Sequence, residues 1–199
     1  VKIVTTAEGG LALTNDDQLA EQMALLRSHG VTRNTALMTH DTHGPWYYQQ
    51  VALGYNYRMT ELQAALGCSQ LKRLDQYVAR RHELAKRYDE LLRNLPLRTP
   101  WQHPDTYSGL HLYIIRLKLN ELKSNRRSVF EALRSHGIGV NVHYIPVHTQ
   151  PYYREMGFTD GQFPQAEQYY AEAISLPMYP LLTDAEQDQV VAALSSALA

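Results

Sequence analysis

The chain has 199 residues, a length that suits one or two globular domains, and its 19 basic and 20 acidic side chains nearly cancel. This balance, with no long basic run, makes nucleic acid and an anionic membrane poor candidates as partners, and no apolar run approaches the roughly 20 residues of a membrane-spanning helix. The single cysteine, Cys68, excludes an internal disulfide framework and indicates a reducing, cytoplasmic setting.

The start of the chain predicts a β-hairpin. A β-branched run over residues 2–6 and a second short run over residues 11–14 are expected to form its strands. The sequence Glu8-Gly9-Gly10 between them is typical of a turn.

A helix is predicted from Asp16 to about Ser28, with Asn15 as its N-cap and Gly30 just past its end. Residues 31–50 are polar and aromatic and show no period, so we expect a long loop there. Loops of this length in compact domains are usually functional or disordered.

The rest of the chain alternates between predicted helices and strands. Thr60 and Gln63 form a capping-box pattern at the start of the longest helix, which is expected to run to just before Pro96. The later elements are a strand over residues 110–119, a helix over 120–136 stopped by Gly137, a strand over 138–145, and a terminal helix that begins with the capping box Thr183 and Glu186. This order predicts a small α/β domain.

Lys2 stands directly before the β-branched run and the glycine turn. Most strand lysines are solvated surface residues, and that is the ordinary explanation for Lys2. The alternative is a lysine that forms a Schiff base with an aldehyde cofactor, which needs a rigid, water-poor position where the amine can lose its proton. The spacing alone leaves both interpretations open.

The stretch GYNYRMTELQAA, residues 54–65, places an amide and a guanidinium directly before a helix start. Helix N-termini favour phosphate, Asn56 can donate two hydrogen bonds without adding charge, and Arg58 can bind an anion with forked donors. The ordinary explanation is that both side chains only order the loop.

The stretch NVHYIPVHTQPYY, residues 141–153, carries two histidines, His143 and His148, around a proline. A metal site is one interpretation, but this spacing offers no evident third ligand. A polar-ligand site is favoured, because imidazoles, tyrosine hydroxyls and amides can meet the hydroxyls and phosphates of a sugar nucleotide. A packed, hydrogen-bonded strand end is the remaining alternative.

Taken together, these stretches resemble the nucleotide-sugar aminotransferases of the DegT/StrS type, which use pyridoxal 5′-phosphate (PLP). The resemblance runs along the whole chain and rests, in order, on VKIVTTAEGGLALTND, RSHG, GYNYRMTELQAALGCSQL, HLYIIRL, GIGVNVHYIPVHTQPYY and SLPMYPLLTDAEQ. Within the family, NVHYIPVHTQPYY and SLPMYP are most similar to the pseudaminic acid branch. That branch aminates C4 of a UDP-linked 4-keto-6-deoxy-N-acetylhexosamine, with glutamate as the usual amino donor.

The resemblance implies a role for each candidate residue. Lys2 is the catalytic lysine that binds PLP covalently and shuttles the proton, and Asn56 reaches across a homodimer to the cofactor phosphate of the other subunit. The residues expected at the sugar-nucleotide site are Arg58, Asn141, Val142, His143, Tyr144 and His148. A PLP-dependent sugar dehydratase is the alternative enzyme, but those relatives replace the lysine with histidine. A non-catalytic binding or regulatory module of the same fold is the other alternative.

The resemblance also implies the fold class, which is α/β, the PLP-dependent transferase fold type I. Residues 1–58 are expected to be the end of the large PLP-binding domain, and residues 59–199 a long connecting helix and the small C-terminal domain. Family members are much longer than this chain. We therefore expect the chain to be the C-terminal half of an enzyme and, by itself, to bind no PLP and to be inactive.

Overall fold

A computed structural model describes residues 2–199 of the chain, which form two compact units. The first unit contains residues 3–73, and the second contains residues 74–199 together with Lys2. Within residues 2–199, no helix is both long and apolar enough to cross a membrane. The domain boundary predicted after residue 58 concerns a longer enzyme and stays a prediction.

The first unit consists of two helices and a short two-stranded ladder. Its elements are α1 (Asp17–Leu26), β1 (Val31–Thr32), β2 (Gln49–Gln50) and α2 (Glu61–Leu71), with a 3-10 turn at Thr35–Leu37. The strands are antiparallel and join the two ends of the predicted 31–50 loop. Gln49 is buried and orders this loop, because its Oε1 accepts the Thr39 amide at 2.8 Å and its Nε2 donates to the His40 carbonyl at 3.0 Å.

The predicted hairpin at the start of the chain is wrong. Residues 2–14 contain no strand, because a strand requires hydrogen bonds to a neighbour and no strand in the described part of the chain pairs with this segment. The bend that the glycines predicted is present. Thr6 Oγ1 donates to the carbonyl of Glu8 at 2.9 Å, and a Cβ on Gly9 would lie 2.4 Å from that hydroxyl.

Helix α1 begins one residue later than predicted. Its N-cap is Asp16, whose carboxylate accepts the Leu19 amide at 3.0 Å, whereas Asn15 was the predicted cap. The helix also ends earlier than predicted, because Ser28 forms an antiparallel bridge with Asn56. Tertiary pairing therefore sets the C-terminal end of this helix.

The single long helix predicted from Thr60 is two helices in the structure. The capping box is confirmed, since the Gln63 amide and the Thr60 hydroxyl lie 3.3 Å apart and the Gln63 side chain bonds back to the Thr60 amide at 3.0 Å. α2 ends at Leu71, and α3 runs over Leu74–Leu91. The Arg73 amide bonds the Gln70 carbonyl, a contact three residues back that tightens the end of α2.

The second unit contains a three-stranded antiparallel sheet in the order β3-β4-β5. Its strands are β3 (Leu97–Arg98), β4 (Tyr113–Leu117) and β5 (Ala173–Leu176). Its helices are α3, α4 (Arg126–Ser135), α5 (Pro151–Glu155), α6 (Pro164–Glu172) and α7 (Asp184–Leu198). The mixture of helix and sheet agrees with the predicted α/β domain.

The core of the second unit forms around the central strand β4. Its alternating pattern places Tyr113, Ile115 and Leu117 in the interior with no exposed surface. These residues pack with apolar side chains from the helices, among them Leu84, Tyr88, Val129, Leu133, Val190 and Leu194. The alternation predicted for residues 110–119 is therefore confirmed over the five residues of β4, Tyr113–Leu117.

Two further predictions in the second unit need correction. The strand predicted over residues 138–145 is absent, because only Asn141 pairs with the sheet, in a single bridge to Ser175. The helix predicted over residues 120–136 is shorter, since Asn125 caps α4. The predicted end of this helix at Gly137 is confirmed, because Gly137 has a φ of +76°, which a residue with a side chain rarely adopts.

Candidate active site

Lys2 is exposed and precedes the Thr6–Gly9 bend. Gly9 is hard to replace, because its φ of +155° is one that residues with side chains rarely adopt and a Cβ there would lie 2.4 Å from Thr6 Oγ1. A Cβ on Gly10 would meet nothing within 4 Å. Of the two glycines in the predicted turn, the structure therefore favours glycine at the first.

The HLY stretch adds a histidine to the neighbourhood of Lys2. Burial lowers the pKa of His111, and the positive charges of Lys2 and Arg81 lower it further, with a smaller contribution from His143. The Nδ1 atom of His111 is buried, with no hydrogen-bond partner within residues 2–199. Lys2 and His143, two residues predicted to be functional, therefore act on the same neutral imidazole, which the sequence analysis had treated only as part of a strand.

Arg81 on α3 fixes the backbone around His111. This arginine is buried, and its Nη1 atom donates to the carbonyls of Leu110 and His111, both at 3.1 Å, and of Met178 at 3.0 Å. Burial lowers the pKa of Arg81 from its ordinary value. The guanidinium thus joins the HLY and SLPMYP stretches, which are distant in sequence.

Residues 141–144 lie beside the edge strand β5. The Asn141 carbonyl accepts the Ser175 amide at 2.8 Å, and His143 Nδ1 lies 2.7 Å from the Ser175 hydroxyl. The Val142 amide donates to the Asn141 side chain at 2.8 Å. Tyr144 is 67% exposed, with its ring perpendicular to that of His143. Ser175 therefore holds this predicted substrate segment while leaving a tyrosine available to a ligand.

His148 occupies a different environment from the other predicted substrate residues. Its side chain is 8% exposed, its Nε2 lies 2.9 Å from Glu167 Oε1, and its ring contacts Phe163. The structure therefore gives this buried histidine a half-buried carboxylate partner. The sequence analysis did not identify Glu167, because the acid lies 19 residues away on α6 and no local pattern links the two.

In the first unit, the RSHG and GYNYR stretches pair through their backbones. The His29 amide donates to the Tyr55 carbonyl and the Tyr57 amide to the Arg27 carbonyl, both at 2.9 Å. Gly54 makes this approach possible, because a Cβ there would lie 2.3 Å from the Gly30 nitrogen. Two stretches that carried the family resemblance are thus neighbours in space.

Asn56 and Arg58 are both exposed on this paired segment. Arg58 lines an open groove with Arg33 and His29, and the other lining residues are Ser28, Val31, Tyr48 and Gln50. Two arginines in one groove favour an anionic ligand. Asn56, the residue predicted to bind the cofactor phosphate, is therefore close in sequence to Arg58 and its cationic groove.

Across residues 2–199, no group of three or more histidine, cysteine or acidic side chains is arranged to hold a metal ion. His143 Nδ1 already contacts the Ser175 hydroxyl, and His148 Nε2 already contacts the Glu167 carboxylate.

The sequence model of one protein family matches nearly the whole chain, residues 1–195. The chain belongs to the DegT/DnrJ/EryC1/StrS aminotransferase family. The spore coat polysaccharide biosynthesis protein SpsC of Bacillus subtilis is 39% identical to this family member over 196 residues, which cover 97% of the chain and 50% of SpsC. The chain spans about half the length of the curated relatives it matches.

Solved structures of the family have the same fold as the chain. PseC of Helicobacter pylori, an aminotransferase involved in the biosynthesis of pseudoaminic acid, has a TM-score of 0.83 at 30% identity, covering 100% of the chain and 51% of PseC. Spr1654 of Streptococcus pneumoniae in its pyridoxamine phosphate form has a TM-score of 0.83 at 28% identity, covering 99% of the chain and 50% of Spr1654, and it is also known in a PLP form.

These comparisons confirm two predictions made from the sequence of this DegT-family chain. The fold class is α/β, the PLP-dependent transferase fold type I. The cofactor of the family is pyridoxal 5′-phosphate, as the PLP and pyridoxamine phosphate forms of its members indicate.

Proposed function

We propose that the chain is the C-terminal part of a PLP-dependent nucleotide-sugar aminotransferase. In this proposal, the full-length enzyme transfers the amino group of glutamate to the C4 keto group of a UDP-linked 4-keto-6-deoxy-N-acetylhexosamine, in the biosynthesis of a surface sugar such as pseudaminic acid. The observation that carries it is the match of the family model to residues 1–195, which includes Lys2 before the glycine turn and the NVHYIP stretch that contains His143. The amine expected to bind the cofactor and the segment expected to bind the sugar are therefore both part of the matched sequence.

The residues present fit the cofactor. Lys2 offers a primary amine, although in this chain it is exposed and not in the water-poor position that a Schiff-base lysine needs, and Asn56 offers an exposed amide on a backbone fixed by its bridge to Ser28. An amine suits an aldehyde, and an amide donates to phosphate without adding charge. When bound, PLP supplies the aldehyde and an electron-withdrawing ring that stabilises negative charge at the carbon being deprotonated.

Lys2 has two tasks in this proposal. Its Nζ atom holds the cofactor between turnovers, and once the amino donor has displaced it, the free amine accepts the proton from the donor's α-carbon. In the second half-reaction the same Nζ delivers a proton to C4 of the sugar. One amine therefore serves both as nucleophile and as base, and for that reason histidine at this position, as in the sugar dehydratases, would not suffice.

The substrate class is proposed from the 141–148 segment and the relatives. Asn141, Val142, His143 and Tyr144 offer amides, an imidazole and a phenol beside β5, while His148 holds the end of the segment. These groups can meet sugar hydroxyls and nucleotide phosphates. The polysaccharide role of SpsC and the pseudoaminic acid role of PseC support a sugar substrate.

A homodimer with shared active sites is part of the proposal. Asn56 is exposed on the first unit, with Tyr55 and Tyr57 on either side of it. Their rings stack at 5.1 Å and are 58% and 76% exposed, as expected for tyrosines available to an interface. We assign Asn56 to the cofactor phosphate of the neighbouring subunit and Arg58 to the anionic part of the substrate.

We also propose a cytoplasmic location. Cys68 is a free, exposed thiol. An exposed thiol persists most readily in a reducing compartment.

The proposal is tested with the full-length enzyme loaded with PLP. Glutamate alone should convert the cofactor to pyridoxamine phosphate, and addition of UDP-4-keto-6-deoxy-N-acetylglucosamine should regenerate PLP and give a C4 amine detectable by NMR. Lys2→Ala should abolish both half-reactions, whereas Lys72→Ala, in an exposed position at the end of α2, should retain them. A product that has lost a hydroxyl without gaining nitrogen would indicate the dehydratase instead.

A further inference from the structure

The proposed substrate segment, residues 141–149, is held at both ends and exposed in the middle. At its first end, Asn141 and His143 bond Ser175. Between the ends, Tyr144, Ile145 and Val147 are 67%, 51% and 60% exposed. At the second end, His148 is buried. The position of the exposed part therefore depends on what fixes His148.

Glu167 is the group that fixes His148. Its Oε1 atom lies 2.9 Å from His148 Nε2, and the same carboxylate accepts the Gly161 amide with both oxygens, at 2.8 and 3.0 Å. The Phe163 amide is a longer donor at 3.4 Å. One acid on α6 therefore holds both the histidine and the 159–163 loop.

The charge of Glu167 suits this arrangement. The hydrogen bond from His148, followed by those from the amides of Gly161 and Phe163, holds the pKa of Glu167 below its ordinary value. The carboxylate is therefore ionised at neutral pH and only accepts hydrogen bonds, so that His148 Nε2 carries a hydrogen. An amide in place of the carboxylate could supply only one of the two acceptor oxygens.

A second link connects the same loop to the same end of the segment. Arg154 donates from Nε to the Thr149 carbonyl at 2.9 Å and pairs through Nη2 with Asp160 at 2.6 Å. The Phe163 ring contacts the His148 ring at a centroid distance of 4.8 Å. The loop thus forms a support against which His148 is held.

We propose that Glu167 is a positioning residue for binding of the nucleotide sugar: by fixing His148, it sets the position of the exposed residues Tyr144, Ile145 and Val147 that face this substrate. The inference rests on the proposed function and adds a residue outside the predicted site. Glu167 acts through His148, so its loss should weaken the sugar half-reaction and leave the glutamate half-reaction intact.

The test compares Glu167→Gln and Glu167→Ala with the wild type in the full-length holoenzyme. The KM for UDP-4-keto-6-deoxy-N-acetylglucosamine should rise about tenfold in Glu167→Ala, as expected for loss of a charge-assisted hydrogen bond, and less in Glu167→Gln, which keeps one acceptor. The rate of cofactor conversion by glutamate should stay unchanged. Glu131→Gln, which removes an exposed carboxylate paired with Arg127 on α4, is the matched control and should leave both rates unchanged.

A second measurement separates positioning from general stability. Hydrogen exchange of residues 141–149 should become faster in Glu167→Ala, while the core strand β4 keeps its protection. An unchanged sugar KM in both variants would overturn the inference, as would a parallel loss of both half-reactions together with a lower melting temperature. A wild-type enzyme that aminates no keto sugar would instead overturn the proposed function, whatever the exchange data show.

Discussion

Two of the fourteen tyrosines, Tyr88 and Tyr113, have no exposed surface and pack ring against ring at 4.8 Å. The Tyr113 hydroxyl donates to Asp89 at 2.6 Å, and the Tyr88 hydroxyl donates to the Pro177 carbonyl at 3.1 Å. Burial is the main cause that raises the pKa of both phenols. Both hydroxyls therefore stay protonated in the folded state at a pH where exposed tyrosines ionise.

This burial predicts a loss of stability at high pH. In the unfolded chain both phenols ionise near pH 10, so their contribution to stability is fully present below about pH 10 and is lost as the pH rises above it. In an alkaline absorbance titration, Tyr88 and Tyr113 should ionise only on unfolding. The Tyr113→Phe variant should lose part of this late step. Ionisation of all tyrosines in a single early step before unfolding would contradict the prediction.

The sequence was informative for some individual residues and silent for others. Lys2, Asn56 and His143 were predicted to be functional because short motifs around them resemble a family, and these roles stay predictions. Glu167 and Arg81 were not identified, because each acts on a partner more than 15 residues away and no local spacing records such a contact. Residues of this kind can be found only when the fold brings the two segments together.

At the scale of elements, patterns of neighbouring residues predicted the starts of two helices correctly, whereas strands, which depend on distant partners, were predicted less well. The capping boxes at Thr60 and Thr183 are confirmed, because both partners of each bond lie within one turn. The hairpin over residues 2–14 is wrong, because strands depend on partners elsewhere in space. Strand β5 was not predicted, because all four of its residues are buried and the sequence therefore shows no alternation between buried and exposed positions.

The pairing of the RSHG and GYNYR stretches gives a prediction about Gly54. Gly54→Ala should destabilise the first unit by roughly 1–3 kcal/mol or more, because its Cβ would press on the Gly30 nitrogen and on the Leu26 carbonyl oxygen, 2.3 and 2.6 Å away, and backbone cannot rotate aside. The free energy of unfolding in urea measures the effect. Gly10→Ala, where a Cβ meets nothing within 4 Å, is the matched control. Equal stability of both variants would show that the two stretches do not pack this closely.

At the scale of the whole molecule, the chain spans about half the length of its curated relatives, and the proposed full-length enzyme is a homodimer. In the proposal, Lys2 binds the cofactor of its own subunit and Asn56 binds the cofactor phosphate of the neighbouring subunit.

This arrangement predicts recovery of activity in mixed dimers. Lys2→Ala and Asn56→Asp should each be inactive in the full-length enzyme, the second because a carboxylate repels the cofactor phosphate. Random mixing of the two should restore about a quarter of the wild-type activity, since half the dimers are mixed and each of those has one complete site.

The control for this experiment mixes Lys2→Ala with the double variant Lys2→Ala/Asn56→Asp. Neither type of subunit in that mixture supplies a catalytic lysine, so it should stay inactive. If mixed dimers form but the first mixture also stays inactive, Asn56 does not act across the dimer.

Reduction of the PLP-loaded full-length enzyme with sodium borohydride tests the central claim most directly, because it fixes the cofactor on whichever amine holds it. Peptide mass spectrometry then locates the label, with Lys72, Lys86, Lys118 and Lys123 as internal controls within the same chain. The account predicts a phosphopyridoxyl group on Nζ of Lys2 and on none of these four. A label on any other lysine of the enzyme, or a holoenzyme that is not labelled, would contradict the assignment of Lys2 as the catalytic residue.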